Sequence, residues 1–127
     1  MEQYSERFIV LVNDAENRIE QISPQQLYEK LDDADDEVRI FDIRPQEKWK
    51  STRIAGAEHL NRGIIEREIH NHIKDPEQEF ILYSEEGHLS ALAADNLQKM
   101  GYHHVKILKG GFRAWNEAGL PFQKEEA

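Results

Sequence analysis

The sequence predicts an α/β domain: a mostly parallel central sheet flanked by helices on both faces, with a helical extension at the N-terminus. Two observations carry this. Val38 to Ile43 reads as a strand, and two later segments, Phe80 to Tyr83 and Val105 to Leu108, have the length and content of buried strands. Segments with apolar residues at helical spacing separate and surround them. Strands that alternate with helices at such short intervals pair in parallel and need cover on both sides.

Taken in order, residues 4 to 19 place Phe8, Leu11, Val12, Ala15 and Ile19 at i, i+3, i+4, i+7 and i+11, along one helix face. Ser23-Pro24-Gln25-Gln26 then starts a second helix. Serine can cap it, proline suits the first turn, and Gln26 can reach back as in a capping box. Leu27, Tyr28 and Leu31 supply its buried face. The run Asp32-Asp33-Ala34-Asp35-Asp36-Glu37 is read as a solvated acidic loop, since it lacks the glycine and alternating spacing of a calcium loop. Arg44-Pro45 ends the first strand. Ala93, Leu97 and Met100, with Leu92 beside them, form a helix that Gly101 stops. Gly110-Gly111 permits a turn before a helix over Phe112 to Glu117, and Gly119 with Pro121 closes the domain.

The length of 127 residues suits one domain with a real core. The longest early apolar run, Phe8 to Val12, is too short for a membrane span or a signal-peptide core. With no basic leader before it, a cytoplasmic location is the default expectation. The net charge of -9, without a Lys/Arg cluster to override it, argues against nucleic acid and anionic membranes as partners. The chain has no cysteine, which excludes disulfides, thiolate metal sites and thiol catalysis by its own residues. No cofactor and no metal is expected. His70 and His72 stand two apart on a presumed helix and point to different sides, and His103-His104 suits a surface turn. Trp49 and Trp115 are read as core or covering residues.

Several segments, in order, resemble the rhodanese-like domain family. Phe41-Asp42-Ile43-Arg44-Pro45 is similar to that family's D-V-R motif, and Arg53-Ile54-Ala55-Gly56-Ala57 to its G-H-I-x-G-A turn, with Thr52-Arg53 where Gly-His is common. The tail from Gly101-Tyr102 through Leu108-Lys109-Gly110-Gly111-Phe112, Trp115 and Ala118-Gly119-Leu120-Pro121 matches most closely. The resemblance implies a rhodanese-like domain over residues 20 to 123. Residues 1 to 19 are then an N-terminal helical extension, as on some single-domain bacterial members, and 124 to 127 a short acidic tail.

Members of that family carry sulfur as a persulfide on a cysteine that opens an active loop, often C-x-x-G-x-R-S. Here the aligned loop reads Ser84-Glu85-Glu86-Gly87-His88-Leu89-Ser90. Gly87 and Ser90 are kept, serine replaces the nucleophile, and Leu89 replaces the basic residue. A serine hydroxyl is barely ionised near neutrality, and oxygen cannot enter the S–S exchange on which sulfur transfer depends. Glu85 and Glu86 add charge that repels a thiosulfate-like dianion, on the order of 1 kcal/mol per unit-charge pair at contact in water. The resemblance therefore implies a family member that has lost sulfurtransferase activity and serves as a binding or regulatory module, with a protein partner that the sequence does not name.

The alternative is a residual enzyme: Ser84 as a hydrolytic nucleophile with His88 as base and Asp42 as orienter, or a small anion held at the loop. Asp42 and Arg44 are expected to pair near the loop and fix the end of the sheet. Arg62, before Gly63, is expected to place a cation over the mouth of the site. The N-terminal helix has two uses open to it, packing on its own domain or joining two chains as a homodimer.

Overall fold

The computed structural model describes residues 4–125. Helix α1 (Glu6–Glu16) begins at Ser5, whose side chain accepts from the Phe8 amide. Strand β1 (Glu20–Ile22) leads to α2 (Pro24–Asp32), capped by the expected box: Ser23 Oγ accepts from Gln26 N, and Gln26 Oε1 accepts from Ser23 N. After β2 (Arg39–Asp42) come α3 (Gln46–Ser51), β3 (Thr52–Arg53), β4 (Glu58–His59), α4 (Ile65–Glu68) and a 3₁₀ turn (Ile69–Asn71). The chain ends with β5 (Phe80–Tyr83), α5 (His88–Lys99), β6 (Val105–Leu108), α6 (Gly111–Glu117) and β7 (Gln123–Lys124).

The main sheet has five strands in the order β1-β6-β5-β2-β4, every neighbouring pair parallel. Its period of two divides the core. Phe41, Phe80, Leu82 and Ile107 face α1, α4 and α5, while Ile40, Ile81, Tyr83 and Leu108 face α2 and α6 around Leu27 and Trp115. The connection after β2 runs to β4 on one side, and the connection after β5 runs to β6 on the other. Adjacent strands whose connections diverge leave a crevice at their C-terminal ends, where open parallel sheets place their sites.

Four expectations need correction. Leu11 is 55% exposed, because the stripe that packs inward is Phe8, Val12, Ala15 and Ile19, and Leu11 lies roughly 70° from its centre line. Met100 is exposed, since α5 has already ended at Lys99. Lys124, assigned from sequence to the acidic tail, pairs with Thr52 in the small antiparallel β3–β7 sheet, and residues 126–127 of that tail lie outside the described residues, as do residues 1–3 of the extension. His70 and His72 are not on one α-helix: His70 is in the 3₁₀ turn, and the ring of His72 lies edge-on to Phe41. His103 and His104 do sit in a surface turn beside Glu77.

The acidic run forms a loop after α2, with Asp33 accepting from the Asp35 amide and Asp36 pairing with Lys30. Among the described residues no three His, Asp or Glu side chains converge as metal ligands, and no helix is long and apolar enough to cross a membrane. The N-terminal helix packs against α5 of its own chain, tied by Arg18 to the buried Asp95 at 2.8 Å.

Candidate functional site

The loop from Ser84 to Gly87 joins the C-terminal end of β5 to α5 at that crevice. Gly87 caps the helix with φ +95°, a conformation that a residue with a Cβ rarely adopts. A second junction, Lys109 to Gly111, joins β6 to α6 and lies directly behind the first. The amides of Phe112 and Arg113 donate to the carbonyls of Ser84 (2.9 Å) and Glu85 (3.0 Å). The start of α6 is thus spent on the backbone of the loop.

Ser84 is 3% exposed and Ser90 is fully buried. Ser84 Oγ accepts from the amides of Gly87 (3.1 Å) and Ser90 (3.2 Å), and its hydroxyl donates to Ser90 Oγ (3.2 Å). The Ser90 hydroxyl in turn donates to the Gly87 carbonyl at 3.1 Å. The network is closed, and each buried hydroxyl of it has a donor and an acceptor role.

Asp42 and Arg44 lie side by side at the end of β2, both buried. Arg44 Nε reaches both oxygens of Asp42 at 3.1 Å, and Nη2 contacts Asp42 at 2.8 Å and also the carbonyls of Lys48 and Thr52. The guanidinium also lies 4.3 Å from the centre of the Phe112 ring. Burial penalises the Arg44 charge, but its hydrogen bonds to Asp42 and the Asp42 charge more than offset this, and the pKa is raised. Burial pushes the Tyr83 hydroxyl upward as well, with the Asp42 charge adding to it.

Each loop glutamate has a cation. Arg44 Nη1 donates to Glu85 at 3.2 Å, and Arg113 from α6 donates to Glu86 at 2.7 Å. The expected repulsion is therefore balanced at the loop itself. Tyr4 also donates to Glu86, and the rings of Tyr4 and Phe8 pack edge-on against His88 at centroid distances of 4.8 and 5.9 Å. The start of α1 thereby roofs the loop. Tyr4, Phe8, Ser84, Glu85, Glu86, His88 and Leu89 line a hollow of about 240 Å³, with Leu89 half-exposed at its rim.

The structure does not assemble the hydrolase triad. His88 lies among aromatic rings, Asp42 is committed to Arg44, and neither is a hydrogen-bond partner of Ser84. Nor does Arg62 line the hollow at the loop. Its guanidinium holds Glu66 through two contacts of 3.0 Å, and Glu66 also accepts from Asn96 on α5. Burial opposes ionisation of Glu66, yet Asn96 and Arg62 hold its pKa below the ordinary range. Sequence reasoning missed Tyr4 and Arg113. The pairing of Arg113 with Glu86 spans 27 positions, and no local spacing signals it.

Residues 23–118 match the family model for the rhodanese-like domain. The thiosulfate sulfurtransferase GlpE of Glaesserella parasuis is 28% identical over 108 residues, covering 85% of this chain and 96% of that protein. The YtwF protein of Bacillus subtilis is 33% identical over 103 residues, covering 81% and 96%. The YrkF protein of the same organism is longer, and the match spans about half of it (51%). Among solved structures, the RPA3614 protein of Rhodopseudomonas palustris, described as a possible tyrosine phosphatase, superposes with a TM-score of 0.79 at 28% identity, covering 97% of this chain and 99% of that one. A thiosulfate sulfurtransferase of Pseudomonas aeruginosa shares the fold with a TM-score of 0.80 at 21% identity, over 92% of this chain and 22% of its own.

Proposed function

Since the chain belongs to the rhodanese-like domain family, we propose that it is a member without sulfur-transfer chemistry of its own, used as a binding or regulatory module. One observation carries the reading. At the position where the family places its persulfide-forming cysteine stands Ser84, and its hydroxyl is consumed by the amides of Gly87 and Ser90 and by Ser90 Oγ. Those amides are the donors that a loop of this shape would turn toward an anionic substrate. Here they face a neutral oxygen of the chain itself. Serine cannot hold the exchangeable sulfur, and the chain contains no cysteine to relay it.

What the loop offers instead is shape. The hollow roofed by Tyr4 and Phe8, with Leu89 at its rim and paired carboxylates beneath, suits contact with a protein partner better than turnover of a small dianion. A cytoplasmic location fits the same reading.

Incubation with thiosulfate and cyanide tests it. Thiocyanate should form no faster than without protein, and intact mass after thiosulfate treatment should be unchanged. Turnover above the blank rate, or a retained sulfur atom, overturns the proposal.

A further inference from the structure

A second cleft lies away from the loop, between α3 and the antiparallel β3–β7 pair. It measures about 550 Å³, and Trp49, Lys50, Arg53, Gln123, Lys124 and Glu125 line it. Its charge runs against that of the chain. The protein carries a net charge of -9, and nine of its sixteen Lys and Arg side chains pair with carboxylates, whereas Lys50, Arg53 and Lys124 have no ion-pair partner among the described residues. Three unneutralised cations around one concavity raise the local concentration of anions.

Arg53 gives the cleft its geometry. It stands in the turn where the family resemblance leads one to expect Gly-His. Its guanidinium lies 4.6 Å from the centre of the Trp49 ring, and Nη1 donates to the carbonyls of Trp49 (3.1 Å) and Lys50 (3.4 Å) at the end of α3. Trp49 is itself fixed, stacked on His59 at 5.3 Å and donating its ring N–H to the Ala57 carbonyl at 3.0 Å. The guanidinium is therefore oriented before any ligand arrives. Its Nε and Nη2 donors have no acceptor among the described residues, and that pair is the edge that grips two oxygens of one anion. Lys50 and Lys124 flank it from α3 and β7, and Glu125 is the one opposing charge in the lining.

We propose that this cleft is an oxyanion site, in which Arg53 takes a phosphoryl or carboxylate group bidentately and Lys50 and Lys124 neutralise it. The site is independent of the loop at Ser84, and its test leaves the reading of that loop untouched.

The full chain, labelled with ¹⁵N, is titrated with inorganic phosphate, and separately with acetate, at an ionic strength held constant with chloride. The two indole N–H signals serve as reporters, assigned with Trp49→Phe. Trp49 should shift saturably, together with the amides of residues 52–54 and 123–125, while buried Trp115 serves as the control. Saturation by phosphate alone assigns the phosphoryl class, and saturation by acetate extends it to carboxylates. Arg53→Lys keeps the charge but loses the fork and should weaken binding by about tenfold. Lys50→Gln and Lys124→Gln, exposed and outside the ion-pair network, should each weaken it by about threefold. Shifts no larger than those of chloride overturn the proposal. So do shifts unchanged when Lys50 and Lys124 are both replaced, which removes any reliance on how well the Arg53 variant folds.

Discussion

The two strand-to-helix junctions at the end of the sheet, β5 to α5 and β6 to α6, are built alike and have different tolerances. Both turn on a glycine cap with positive φ, Gly87 at +95° and Gly110 at +76°. They press on each other through backbone. A Cβ on Gly111 would stand 2.4 Å from the Ser84 carbonyl oxygen and 2.7 Å from the Glu85 carbonyl. A Cβ on Gly87 would meet nothing closer than the Gly110 amide at 3.4 Å. The second junction is thus a fixed backing for the first. Main-chain bonds from Phe112 and Arg113 hold the loop in shape whatever side chains it carries. This backing fixes the backbone outline of the loop independently of the side chains from Ser84 to Gly87.

The largest expected break in that arrangement comes from below both junctions. Arg44→Met leaves Asp42 buried without its cation and should cost about 3–5 kcal/mol in urea denaturation. Adding Asp42→Asn to it should recover part of the loss. Next, Gly111→Ala forces a Cβ into backbone at positive φ and should cost on the order of 3 kcal/mol, whereas Gly87→Ala should cost about 1–2 kcal/mol. Equal costs for the two glycines would erase the distinction between backing and loop. Ser84→Ala removes the acceptor of two buried amides and should lower stability by about 1–2 kcal/mol, measured the same way. A neutral result would mean that the hydroxyl is not part of the scaffold.

The smallest effect is on pH. The hydrogen bonds of Arg18 hold Asp95 below the usual carboxylate range against the penalty of its burial. A depressed folded-state pKa contributes stability above the unfolded value and loses it as pH falls through the folded one. Docking of α1 should therefore weaken below about pH 4, seen as faster amide exchange in residues 6–16, and Asp95→Asn should flatten that dependence.

The sequence made the centre of this molecule legible and its edges obscure. The strands Phe80–Tyr83 and Val105–Leu108 are bounded as read, because each is a short, mostly apolar run between turn residues. The capping box at Ser23 is likewise a local signal with a local cause. Strands β3, β4 and β7 have two residues each, too few to show any period, and β1 follows so closely on α1 that Ile19 reads as the end of a helix. At the loop, motif spacing located Ser84, Gly87 and Ser90. It could not give the cations of Glu85 and Glu86, because Arg44 arrives from the end of β2 and Arg113 from α6. Tyr4 is hidden for the same reason: its partner Glu86 is 82 positions away.

That separation has a consequence in time. Among the described residues strand β1 pairs only with β6, and Arg18, just after α1, finds its bidentate tie to Asp95 across 77 positions. Contacts of such sequence separation close late in folding, so the apolar stripe of α1 should dock after the central strands have paired. The segment that roofs the loop is then among the last to be placed.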